Sequence, residues 1–129
     1  MSEVDPGGAA RSRGRVGPFT LAVSAEMVFV DLPVAERVRR LTALDCQVEI
    51  WDWTRHDLDV LERLRDEGAV FSSMTGYVTG GLVDPDATDA LLETAARSVE
   101  VARRLGVPRL NLHGTGLDEQ GLPVVPVDE

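Results

Sequence analysis

Glu49, Trp51, Asn111 and His113 are the residues of this chain whose types and spacing best suit chemistry on a small molecule. They fall in Val48-Glu-Ile-Trp and Leu110-Asn-Leu-His, short runs that read as strands, in which successive side chains alternate between faces. Glu49 and Trp51 then share one face and Val48 and Ile50 the other, while Asn111 and His113 oppose Leu110 and Leu112. In an α/β sheet both faces are ordinarily apolar, so polar groups near the C-terminal ends of strands mark a wet or ligand-binding surface. Strand ends that simply reach solvent give the same pattern. Trp51 can stack on a small substrate or pack the mouth of the sheet. Glu26 suits a lid or loop, Trp53 a packing role, and His56 a solvated position where a helix begins.

Several other chemistries have no support in the motifs. No helix carries a His-x-x-x-His pair, so no complete metal site is legible. Cys46 has no activating context and suits packing at a helix-to-strand turn. Gly76, Gly80 and Gly81 make no G-x-G-x-x-G, and Gly114-Thr-Gly lacks a following helix, so a dinucleotide cradle is poorly supported. The chain has no lysine, which removes Schiff-base chemistry and the P-loop lysine from its own repertoire.

The elements that must position these residues alternate strand and helix. Phe19 to Ala25 reads as a first strand, Pro33 opens a helix with Val34, Val38, Leu41 and Leu44 inward, and Gln47 to Trp51 is a second strand. Asp57 caps a second helix whose apolar face is Leu58, Leu61 and Leu64, and Gly68 follows it. Ala69 to Met74 is the third strand. A third helix runs from about Asp86 to Leu105 with Leu91, Leu92, Ala95, Val99 and Ala102 inward, closed by Gly106 ahead of a fourth strand, Arg109 to His113. The repeating order predicts an α/β fold with parallel strands joined by crossover helices. Met1 to Pro18 reads as a flexible extension, residues 19–116 as the folded domain, and Leu117 to Glu129 as an extended Pro-containing tail standing where a fourth helix is expected.

With 129 residues the chain suffices for one domain but falls well short of the roughly 250 residues of a complete eight-fold β/α barrel. Its net charge of −9 argues against sequence-independent nucleic-acid binding, which needs clustered cations. No apolar run approaches the roughly 18 residues of a membrane span, and the arginines near the N-terminus precede no apolar segment of a secretory signal. A cytoplasmic protein is expected, which the lone Cys46 suits.

Five stretches, in order, carry a resemblance: Ser24-Ala-Glu-Met-Val-Phe, Leu32-Pro-Val-Ala-Glu-Arg, Val48-Glu-Ile-Trp, Gly81-Leu-Val-Asp-Pro and Ala102-Arg-Arg-Leu-Gly. Over about Phe19 to Gly116 the chain resembles the N-terminal half of hydroxypyruvate isomerase-like proteins, of the xylose isomerase-like TIM-barrel superfamily. The resemblance implies the first half of a TIM barrel, with four strands and three helices, truncated before the fourth helix. It also implies aldose-ketose type isomerisation or epimerisation of a small hydroxy-carbonyl or sugar substrate such as hydroxypyruvate. In that chemistry a proton moves through an enediol-type intermediate, and a divalent metal, Mg or Mn, polarises the substrate oxygens. The metal-binding and proton-transferring acidic residues are expected on later strands, so the chain alone is expected to be inactive, with a C-terminal half-barrel or a second copy as partner. Glu49, Trp51 and His113 receive substrate-pocket roles by this resemblance, and Asn111 joins them by strand parity. The competing expectation is a stand-alone small α/β module of flavodoxin-like shape that binds a ligand or partner without catalysis.

Overall fold

A computed structural model describes residues 15–114 and 116–124, so Met1 to Gly14 of the expected extension and the last five residues of the tail lie outside it. Short strands β1 (Arg15–Val16) and β2 (Phe19–Thr20) form an antiparallel hairpin around Gly17, whose φ of +61° suits a residue without Cβ. The main sheet contains β3 (Ala22–Ser24), β4 (Gln47–Ile50), β5 (Phe71–Thr75) and β6 (Leu110–Asn111), all parallel, in the spatial order β3-β4-β5-β6. Helices α1 (Val34–Ala43), α2 (Leu58–Asp66) and α3 (Thr88–Leu105) connect successive strands. Strand order thus equals chain order. The flavodoxin-like shape, whose second strand lies outside its first, is not the one adopted.

Local signals explain most of the boundaries. Pro33 stands immediately before α1, where its fixed φ and missing N–H cost nothing. Asp57 Oδ1 accepts the backbone N–H groups of Asp59 and Val60 and caps α2. Gly106, at φ +69°, ends α3 in the left-handed conformation. A 3₁₀ turn, Pro85–Ala87, leads into α3 and moves its start to Thr88.

One core lies between the sheet and the three helices. Val48 and Ile50 of β4 and Phe71 and Met74 of β5 meet Val38 and Leu41 of α1, Leu61 and Leu64 of α2, and Val101, Ala102 and Leu105 of α3. Neighbouring helices also touch, α1 with α2 and α2 with α3, so all three lie on the same side of the sheet. Among the described residues no helix covers the opposite face, and its alternate positions carry polar side chains.

Three expectations are corrected. The first strand does not run unbroken from Phe19: the Gly17-Pro18 turn folds Phe19–Thr20 back onto Arg15–Val16, and Phe19 and Leu21 are exposed. The stripe of α3 is rotated, because Leu92 is 59% exposed and Val99 also faces outward while Ser98, Val101 and Leu105 are buried. Ser98 belongs inside because its Oγ accepts the indole Nε1–H of Trp53 at 2.8 Å, and the packing role of Trp53 is accordingly met in the core. Finally, β6 ends at Asn111, so Leu112, read as core-facing, is 69% exposed.

Candidate functional site

Polar side chains on the helix-free face join three neighbouring strands. Glu49 pairs in register with Ser24 of β3 and Ser73 of β5, and Thr75 pairs with Asn111 of β6. A register shift between Val48 and Glu49 lets Ser73, rather than Ser72, come opposite Glu49. Glu49 Oε1 accepts the Ser73 hydroxyl at 3.1 Å and the Asn111 amide Nδ2 at 3.2 Å. These bonds leave Glu49 Oε2 and Asn111 Oδ1, both acceptors, without a protein partner among the described residues.

A second cluster lies where β3 and β4 end. Glu26 Oε1 accepts His56 Nε2 at 2.7 Å and the backbone N–H of Trp51 at 3.1 Å, and Oε2 accepts the Ser24 hydroxyl at 3.1 Å. Burial raises the Glu26 pKa, but the His56 hydrogen bond, the Trp51 N–H, the His56 charge and Ser24 together outweigh it, and the net direction is down from 4.5. His56 is therefore not the solvated residue expected from sequence: its side chain is 11% exposed, drawn in by the carboxylate. Arg37 gives Nε to Leu32 O, Nη1 to Ala25 O and Nη2 to Val30 O, which fixes the loop after β3. With Trp51, Asp52 and Arg55 these residues line a cleft of about 470 Å³. Trp51 is 45% exposed.

The third cluster stands beyond β5 and β6. Gly76 N–H donates to Asn111 O at 2.8 Å, and a Cβ on Gly76 would stand 3.0 Å from that oxygen, so the glycine lets the two chains close up. Tyr77 follows, buried, with its hydroxyl 2.5 Å from the carbonyl oxygen of His113 and 3.1 Å from His113 Nδ1. The rings lie 4.3 Å apart between centroids, tilted by 32°. Tyr77, Gly80, Asp84, His113 and Val124 border a cavity of about 580 Å³.

The four residues singled out from sequence are thus distributed. Glu49 and Asn111 meet directly, Trp51 stands beside the Glu26–His56 cleft, and His113 belongs to the Tyr77 cavity. Ser73 and Tyr77 were not foreseen. Strand parity does not find Ser73, because strict alternation puts it on the face of core residue Phe71 and only the irregularity in the β4–β5 pairing sets it opposite Glu49. Tyr77 carries no sequence signal beyond following a strand and a glycine. No three His, Cys, Asp or Glu side chains among the described residues are grouped to hold a metal ion. Among the same residues no helix is long and apolar enough to cross a membrane. Comparison with family models, curated proteins and solved structures finds no match to this chain.

Proposed function

We propose that this chain is the first half of a β/α-barrel isomerase or epimerase, and that the helix-free face of its sheet binds a small hydroxy-carbonyl or sugar substrate. The reading is carried by the bonded row Glu49, Ser73 and Asn111, which spans three strands on the face a barrel would enclose. Its unoccupied groups, Glu49 Oε2 and Asn111 Oδ1, are both acceptors and suit the hydroxyl donors of a polyol. Trp51 supplies an exposed aromatic surface near the same strand ends for the C–H side of such a ligand. Sequential strand order with helices on one side supports the barrel-like reading, since each strand of a β/α barrel follows its predecessor around the ring.

In this reading the proton is moved by carboxylates on further strands, contributed by a C-terminal half or a second copy. A divalent metal, Mg or Mn, would polarise the substrate oxygens in such chemistry. The residues described here do not make a metal cage, so their part is to bind and orient. A stand-alone binding module is the second reading, favoured by a helix-side core in which no described buried side-chain N or O atom lacks a partner. A compact monomer in sedimentation would select it over the half-barrel.

Titration of ¹⁵N-labelled chain with hydroxypyruvate, dihydroxyacetone and xylose tests substrate binding. The expected result is saturable shifts at Glu49, Ser73 and Asn111 with at least one compound. Glu49→Gln, which exchanges an acceptor oxygen for a donor and removes the charge, should weaken it by about 5- to 30-fold, the equivalent of about 1–2 kcal/mol. Absence of binding by all three, or binding indifferent to Glu49→Gln, refutes the proposal.

A further inference from the structure

The contacts of Tyr77 determine which nitrogen of His113 carries its proton. A phenol has one O–H to donate, and a carbonyl oxygen can only accept. The Tyr77 hydroxyl lies 2.5 Å from the His113 carbonyl oxygen, the nearer of its two partners, so its proton goes there. The remaining contact, 3.1 Å to Nδ1, is then satisfied only if Nδ1–H donates to the phenolic oxygen. Neutral His113 is thereby held as the Nδ1–H tautomer, and Nε2 keeps its lone pair. Tilted stacking of the two rings, with centroids 4.3 Å apart, restricts the imidazole further.

Tyr77 is buried, with 2% of its surface accessible, whereas His113 is exposed and borders the cavity of about 580 Å³. A residue outside the Glu49 row thus presents a proton-accepting nitrogen at the same end of the sheet, and Nε2 has no protein partner among the described residues. We infer that Tyr77 is a positioning residue that fixes His113 to accept, through Nε2, a hydrogen bond from a hydroxyl group on a bound ligand. The inference rests on the substrate reading above for its ligand, a hydroxyl-bearing small molecule. The tautomer itself rests on Tyr77 and His113 alone.

Long-range ¹H–¹⁵N correlation of the histidine rings, at mildly alkaline pH where imidazole is neutral, reads the tautomer directly. In the unliganded chain His113 should show the Nδ1–H pattern, and Tyr77→Phe should redistribute it toward Nε2–H. Dihydroxyacetone, the probe, should shift His113 Nε2 in the wild type and do so at least about 5-fold more weakly in Tyr77→Phe, as expected for one lost hydrogen bond. An Nε2–H pattern in the wild-type chain overturns the inference, and that spectrum decides even if Tyr77→Phe fails to fold. An unchanged tautomer in folded Tyr77→Phe overturns it as well. Shifts at Glu49 and Asn111 without a shift at His113 Nε2 overturn it while leaving the substrate reading intact. If dihydroxyacetone, hydroxypyruvate and xylose shift nothing, the substrate reading and the ligand role of His113 fall together, and an Nδ1–H pattern still upholds the tautomer.

Discussion

Replacing Glu26 by glutamine keeps the shape of the side chain and removes the charge that gathers three donors at the ends of β3 and β4. In the native chain one oxygen accepts His56 Nε2 at 2.7 Å and the Trp51 N–H at 3.1 Å, and the other accepts the Ser24 hydroxyl at 3.1 Å. A glutamine oxygen can still accept from His56 and Trp51, but as a neutral acceptor, and its amide nitrogen meets the Ser24 hydroxyl as a donor. Hydrogen bonds to a charged group contribute about 1.5–3 kcal/mol against about 0.5–1.5 for neutral ones. The Glu26 side chain is 22% exposed, so water compensates part of the loss, and a net destabilisation of about 1–2 kcal/mol is expected. With a urea m-value of about 2 kcal/mol/M for a small domain, the midpoint should fall by about 0.5–1 M. The effect has a pH signature. Because folding depresses the Glu26 pKa below 4.5, its stabilisation is complete above that value and is lost as pH falls through the lower, folded value. The gap between wild type and Glu26→Gln should therefore be constant toward neutral pH and close in acid. Equal midpoints at pH about 7, or a gap that narrows at no acid pH at which the wild type remains folded, would refute the hub role of Glu26.

Two further substitutions probe the frame behind the site. Ser98→Ala should destabilise by about 1–3 kcal/mol, because it strands the indole N–H of buried Trp53; urea unfolding checks this, and Trp53→Phe should remove most of the penalty in the double variant. Gly80→Ala places a Cβ 2.7 Å from Ala87 O and Leu91 N at a φ of +89°, so a cost of about 1–3 kcal/mol is expected. Limited proteolysis between β5 and α3 should detect it, with a native cleavage pattern as the contrary result.

Where one chemical signal decides an outcome, the sequence was readable. Pro33, Asp57 and Gly106 each stand at a helix boundary for a reason that needs no tertiary structure. Alternation within β4 set Glu49 apart from Val48 and Ile50, and Asn111 bonds to it from two strands away. The rotated face of α3 was less legible, since Ser98 reads as surface until Trp53 is known to need an acceptor. The Glu26–His56 pair was hidden for a similar reason. Its members lie 30 residues apart, on loops whose meeting depends on β3 and β4 being neighbours. Tyr77 and His113 required still more: the strand pair β5-β6, a glycine between closely spaced backbones, and the early end of β6.

Chain-ordered winding also bears on how such a domain can be lengthened and diversified. A β/α unit appended beside β6 would meet β6 and α3 while leaving the β3-β4 pairing and the α1–α2 contact undisturbed. Duplication or recombination can therefore act on this architecture in whole units, each delivering its polar groups to the same rim. A doubly wound sheet lacks that freedom at its centre, where reversal of strand order ties the ligand crevice to one fixed pair of strands. The polar face of such a sheet can therefore be extended one strand at a time while β3, β4, β5 and β6 keep their register.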